Sequence, residues 1–195
     1  MHIASLYGKW VTLESLTEAH REPLRAAADD ERIWVSTTIR ADGGAFDTWF
    51  EDAVAGQKEG RRYPFAVRRS IDKKYVGSTS YLDIAPQHKR IEIGATWYQP
   101  DAWGTLVNPE AKLLLLIHAF EVMGVQRAAF ITDVLNHRSQ AAIAKLGATR
   151  EGVLRSHMVS QGGRMRDSVV YSIVSGEWPR IRDALQARLA ATKAA

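Results

Sequence analysis

Two short segments hold the residue types and spacings that could do chemistry. The first is Gln99-Pro100-Asp101-Ala102-Trp103-Gly104-Thr105-Leu106-Val107, a loop ending in a strong helix start. Asn108 suits an N-cap, Pro109 suits the first helical position, and Glu110 complements the positive end of the helix dipole. A loop of this kind presents backbone N–H groups to an anion, and a diphosphate suits it. It is neither a Walker loop, which needs Gly-Lys-Ser/Thr, nor a dinucleotide fingerprint, which needs G-x-G-x-x-G. The competing reading is an ordinary capped helix after a loop. The second segment is Asp133-Val134-Leu135-Asn136-His137-Arg138-Ser139, at the end of a strand. Either Asn136 caps a helix beginning near Arg138, or Asn136 and Ser139 face a ligand beside the strand end, where open α/β sheets bind ligands.

The elements that must position these segments follow from periodicity and turn chemistry. A strand covers 10–14. A helix opens at Thr17 and Glu18 and runs to about Asp29, and a second spans 46–58. Strands at 63–68 and 75–82 form a hairpin about Asp72-Lys73-Lys74, and a third covers 90–98. The helix after Asn108 runs from Ala111 to about Met123, and its apolar run Leu113 to Ile117 predicts packing on more than one side. A strand at 127–133, a helix at 138–146, strands at 149–154 and 167–174, and a final helix from about Glu177 complete the chain. Early strands read as antiparallel and the later β-α-β segment as parallel, a mixed sheet with helices on its faces. Nothing repeats, so a single domain over 1–195 is expected.

Composition narrows the function classes. The 195 residues include no cysteine, which excludes disulfides, Cys-ligated metal and covalent catalysis through a protein thiol. No histidine pair has the spacing of a helical metal site, so no metal is expected. No apolar run is long enough to span a membrane, and the start of the chain lacks a secretion pattern, so a cytoplasmic protein is expected. Residues 1–60 carry six basic and eleven acidic residues, whereas 61–195 carry twenty basic and eleven acidic. The basic part suggests an anionic partner. Nucleic acid is the weakest candidate, because no Lys/Arg run exceeds two and no nucleic-acid motif is present.

Taken together, Glu92-Ile93-Gly94-x-x-Trp97-Tyr98 and Trp103-Gly104-Thr105-x-Val107-Asn108-Pro109-Glu110-Ala111-Lys112 resemble motif A of the GNAT superfamily of acetyl-CoA-dependent N-acetyltransferases. Asn136-x-x-Ser139 with Lys145-Leu146-Gly147-Ala148 is similar to its motif B. The segments 150–155 and 166–172, with Leu6-x-Gly8-x-x-Val11-x-Leu13, resemble the RimJ/RimL-like branch. The resemblance covers residues 6 to 182. It implies a mixed, mostly antiparallel sheet of six or seven strands, splayed between 90–98 and 127–133 where acetyl-CoA binds as co-substrate. By the same resemblance, 1–60 form the acceptor side, 61–175 the cofactor core and 176–195 a C-terminal helix. Pantetheine would meet backbone from Ile93 through Trp97 and Tyr98. The pyrophosphate would rest on Trp103, Gly104, Thr105, Leu106, Val107 and Asn108. Asn136 and Ser139 would face the pantetheine arm and sulfur, with Arg138, Lys145 and Lys112 near the phosphates. A homodimer is common in this family.

The resemblance implies acetyl transfer to a primary amine, on a protein N-terminus or a small molecule, by direct attack; a non-catalytic acyl-CoA sensor of the same fold is the alternative. The chemistry needs a base, because such an amine is mostly ammonium at neutral pH. Glu92 is the candidate, alternating with Ile91 and Ile93; pairing with Arg90 or Lys89 on a solvated face is the competing role. Leu106 departs from the family loop, which has a second small residue there, and Ile143 stands where many members carry a Tyr acid. A thiolate leaves without full protonation, and Ser139, retained in RimL-type enzymes, is the substitute. Trp34, Trp49 and Tyr81 either line an acceptor pocket or belong to the core, His118 reads as a core residue, and His157 as an exposed one. The acidic balance of 1–60 favours a cationic acceptor.

Overall fold

The chain begins with a two-residue strand, β1 (Leu6–Tyr7), turned back onto β2 (Val11–Ser15). Helices α1 (Arg21–Ala28) and α2 (Phe46–Lys58) follow, joined by a long strap of short turns. Strands β3 (Arg62–Arg69), β4 (Tyr75–Ala85) and β5 (Arg90–Tyr98) form an antiparallel meander. Then come α3 (Val107–Ile117), β6 (Arg127–Asp133), α4 (His137–Ala144), β7 (Thr149–Val159), β8 (Met165–Val174) and α5 (Trp178–Ala191). The computed structural model describes residues 3–191. The end of the C-terminal helix expected to reach 195 lies outside them.

The strands form one sheet in the order β1-β2-β3-β4-β5-β6-β8-β7. This is the expected mixed sheet with an eighth, two-residue strand at its edge. Only β5 and β6 are parallel, and their pairing covers just three residues each, Arg90–Glu92 against Arg127–Ala129. Beyond Glu92 the two strands part, so the sheet splays as the resemblance implies.

Alternation along the strands supplies two apolar faces. One cluster joins Leu13, Phe65, Ile91, Ile93 and Phe130 to α3, α4 and α5 through Leu115, Ile143 and Ile181. The other joins α1 and α2 to the sheet through Leu24, Trp34, Trp49, Phe50 and Trp97. Trp34 and Trp49 are therefore core residues. Tyr81 is too: its hydroxyl donates to the Leu115 carbonyl (2.6 Å), and its ring stacks on His118.

Two details of α3 differ from the sequence reading. Asn108 is not the N-cap: the helix starts at Val107, with Leu106 already helical at the cap. At the other end the turn widens over His118–Val122 before Gly124, whose φ of +66° ends it. Strands β7 and β8 also run further than their alternation indicates, because an irregular pairing between Leu154 and Met158 breaks the period that the sequence offers.

Glu110 does more than complement a dipole. Its buried carboxylate accepts from the backbone N–H groups of Lys9 (2.9 Å), Trp10 (2.6 Å) and Val11 (2.8 Å). It therefore ties the β1–β2 turn to the first turn of α3. Gly8 is required beside it, since a Cβ there would lie 2.5 Å from the Glu110 carboxyl carbon.

Candidate active site

The loop at 99–106 is fixed by its own side chains. Trp103 Nε1 donates to the Tyr98 carbonyl (2.8 Å) and Thr105 Oγ1 to the Ala102 carbonyl (2.7 Å). Gly104 takes a φ of +73°, a left-handed conformation suited to glycine. Two of the six amides expected to meet a pyrophosphate are spent within the loop: Trp103 N–H on Pro100 O and Val107 N–H on Thr105 Oγ1. Among the described residues, no protein acceptor meets the amides of Gly104, Thr105, Leu106 or Asn108. Four unused donors at the N-terminus of an eleven-residue helix suit a diphosphate.

Leu106 leaves that cradle open. Its side chain packs against the main core, so the absent second small residue does not fill the anion position. The guanidinium of Arg138 lies 3.8 Å from the centre of the Trp103 ring, bringing a cation from α4 to the loop. Lys112, expected near the phosphates, is turned the other way. It is buried, and its Nζ donates to Thr96 Oγ1 (2.7 Å) and Thr79 Oγ1 (3.0 Å). Burial pushes its pKa down to about 7. Lys145, at the end of α4, is exposed.

The Lys112 contact depends on a bulge in β5. Ala95 has a φ of +46°, and the pairing with β4 shifts there. The extra residue puts Thr96 on the α3 side and Trp97 on the α2 side. A depressed lysine pKa contributes stability that is full above the ordinary value of 10.5 and is lost as pH falls through about 7. The melting-temperature difference between Lys112→Met and wild type therefore moves in the variant's favour as pH falls from 10 to 7. A pH-independent difference would contradict a desolvated amine.

On the opposite face, Glu92 stands at the last paired position before the splay. Its cross-strand neighbours are Leu82 and, one strand further, Arg62. Glu92 is half-buried and, among the described residues, has no ion-pair partner, because Arg90 pairs with Asp83 instead. The solvated-pair role is therefore not the one adopted. Burial, with a smaller push from Asp83, raises the Glu92 pKa to about 7, and Arg166 opposes the rise. A Cβ on Gly94 would lie 2.7 Å from Glu92 Oε1, so a side chain there would displace the carboxylate.

Across the splay, Asn136 caps α4: its Oδ1 accepts from Ser139 N–H (2.9 Å) and its Nδ2 donates to Ser36 O (3.3 Å). Both polar ends are thus committed within the protein. The half-buried hydroxyl of Ser139 has no partner among the described residues. Ile143 is buried in the core. The side chains of Trp97 and Tyr98 are buried, and their backbone lies on the β5 edge that β6 leaves free. His157 is exposed on β7, where its Nδ1 lies 3.0 Å from Ser168 Oγ.

Sequence reasoning missed three features of this face. Arg166 on β8 is buried and donates through Nη1 to Thr38 Oγ1 of the strap. Gln161 holds the same strap through the carbonyls of Trp34 and Thr37. Arg62, at the start of β3, is buried beside Trp49 and Ser80. No local pattern marks them, because their partners lie more than a hundred positions away or, for Arg62, on α2 and β4.

Comparison with known proteins follows the same lines. The family described as acetyltransferase (GNAT) domain matches residues 11–149. YoaA of Bacillus subtilis, named an uncharacterized N-acetyltransferase, is 31% identical over 124 residues, covering 63% of this chain and 67% of that protein. The crystal structure of a GCN5-related N-acetyltransferase from Brucella melitensis superposes with a TM-score of 0.88 at 30% identity, covering 96% of this chain and 86% of the other. Mycobacterium smegmatis RimJ in complex with CoA-disulfide shares the fold, with a TM-score of 0.76 at 20% identity over 91% of this chain and 88% of that one. With its splayed sheet, its loop of unused amides and these relatives, the chain belongs to the GNAT family of N-acetyltransferases and resembles its RimJ/RimL-like branch.

Proposed function

We propose that this acetyltransferase moves the acetyl group of acetyl-CoA to a primary amine by direct attack, with Glu92 as the base. The observation that carries this reading is the Glu92 carboxyl, half-buried and unpaired at the mouth of the splay, with a pKa raised to about 7. A general base works best when its pKa lies near the working pH. Acetyl-CoA supplies an activated thioester when bound. Main-chain donors of Gly104, Thr105, Leu106 and Asn108, with Arg138 beside them, hold the diphosphate. Glu92 takes a proton from the acceptor ammonium, and the freed nitrogen attacks the thioester carbon. As the carbon–sulfur bond breaks, the nitrogen sheds its second proton to water, and the Ser139 hydroxyl donates a hydrogen bond to the departing thiolate. Asn136 supports that step indirectly by fixing the first turn of α4. The absence of cysteine agrees with direct transfer. Acceptors of this class include protein N-termini and small amines, and the reading places the chain in the cytoplasm as a single domain.

The test is release of free CoA thiol from acetyl-CoA in the presence of a panel of amines and peptides. Amine-dependent release supports the reading. Tight acetyl-CoA binding without release under any amine favours the sensor alternative. Ser139→Ala is expected to lower kcat about tenfold, less than the usual loss of a proton donor, because a thiolate leaves without full protonation. A variant at the wild-type rate would remove Ser139 from the site.

A further inference from the structure

Buried donors without acceptors are uncommon in a folded protein and call for a partner. Among the described residues, four buried side-chain polar atoms have none: Arg62 Nη2, Trp97 Nε1, Tyr98 Oη and Arg166 Nε. Three of them are donors only, and all three belong to the face that carries Glu92. Arg62 and Glu92 share a cross-strand row through Leu82, while Trp97 packs among Trp34 and Trp49 on that side. Arg166 follows by alternation, two residues before Ser168 and six before Ser172, which pairs with Ala129 beside Glu92.

Arg166 is the most exceptional of the three. It is only 7% exposed, and burying a guanidinium without a counter-ion is costly. Asp133, the acid on its own side of the splay, is taken by Arg164. Asp133 still attracts Arg166, and Glu92 does so more weakly from across the splay, but neither is within ion-pair distance of it. Thr38 fixes one end of the guanidinium through Nη1 and leaves Nε unused. Several acids of residues 1–60 are held by arginines of the same segment. Glu18 and Asp47 pair with Arg21, Glu22 and Asp47 with Arg25, Asp30 with Arg32, and Asp42 with Arg40. On this face the Arg166 guanidinium is a buried cation with no ion-pair partner among the described residues.

Building on the proposed amine-transfer reading, we infer that the acceptor is a small α-amino acid whose carboxylate is held by the Arg166 guanidinium while its amine faces Glu92. A charge-assisted bond to a carboxylate would satisfy Nε and neutralise the buried cation in one step. A peptide N-terminus offers only a neutral carbonyl at that place, and a polyamine offers another cation. The strap from Trp34 to Thr38, latched by Gln161, then walls the carboxylate end of the site.

The experiment compares kcat/KM for a set of free amino acids with that for their amides and for short peptides carrying the same first residue. The expected result is a preference of about tenfold or more for the free acids over the amides. Arg166→Gln should bring the acid-to-amide ratio close to one, with Arg166→Lys in between. Amides or peptides that react as fast as free acids in wild type would overturn the inference while leaving amine transfer intact. A ratio that survives in Arg166→Gln would overturn it as well. If no amine in the panel is acetylated, the amine-transfer reading fails on its own. Binding then decides: amino acids should raise the melting temperature of wild type more than their amides do, and equal shifts would overturn the inference.

Discussion

Glu92→Gln is expected to lower kcat/KM for the acceptor by about 10²-fold or more, the usual cost of removing a general base. The wild-type rate should rise with pH through about 7, where the carboxyl loses its proton, and that limb should be absent from the variant. Acetyl-CoA binding should be retained, because the cradle at 104–108 lies on a separate loop. The same substitution has the opposite effect on stability. A carboxyl whose pKa rises on folding favours the folded state most below its ordinary value near 4.5, and that advantage is lost as pH rises through about 7. Glutamine at this position should therefore raise the melting temperature above pH 7, by up to about 3 kcal/mol of stability, and do little near pH 4. A stabilised, inactive protein is the signature of a group kept for chemistry. A variant that is both active and unchanged in stability would show that Glu92 is an ordinary strand carboxylate.

Glu110→Ala is expected to have the largest effect on folding. It strands three buried or part-buried amides, those of Lys9, Trp10 and Val11, and releases the β1–β2 turn from α3. At one unsatisfied group apiece, the loss is about 3 kcal/mol or more, which for a chain of this length lowers the melting temperature by roughly 10 °C. Glu110→Gln, which keeps one acceptor oxygen, should lie between. The loss is read by thermal or urea unfolding. A melting temperature within 2–3 °C of wild type, roughly 1 kcal/mol, would show that water replaces the carboxylate at little cost. Because α3 also presents the cradle amides, the expected variant binds acetyl-CoA more weakly as well.

The path from sequence to fold is clearest where alternation and turn chemistry agree. Residues 46–58, 90–98 and 127–133 are helix, strand and strand as their patterns predict, since each lies between strong turn signals. The helix start at 107 was harder to place, because Pro109 fits the first turn as well as the first position, and Leu106 offers no cap. The β5 bulge puts its positive φ on Ala95 and not on the neighbouring Gly94, so the fate of Lys112 is not legible in the sequence: one extra residue turns Thr96 toward the amine. The candidate site divides in the same way. The loop at 99–108 and the strand end at 133–139 are local, and their sequence shows them. Arg166, Thr38 and Gln161 meet only because β8 and the strap between α1 and α2 come together in space, from positions more than 120 residues apart.

Charge tells a similar story. The positive balance after residue 60 marks a region containing the loop where a cofactor's phosphates would rest, yet Lys112, one of the cations expected there, is a buried prop for the bulge. Many of the acids before residue 60 are held by arginines on the same helices and turns. Net charge points to a side of the molecule, and only the pairing shows which buried cation, Arg166, has no ion-pair partner among the described residues.

The central claim is most directly tested by product analysis. Wild-type protein is incubated with acetyl-CoA and the amine panel, and the N-acetylated product is counted by mass spectrometry against the CoA thiol released. One N-acetyl group per thiol, abolished in Glu92→Gln, is the result expected. Thiol release without N-acetylated product, or acetyl-CoA protection against unfolding with neither, would contradict it.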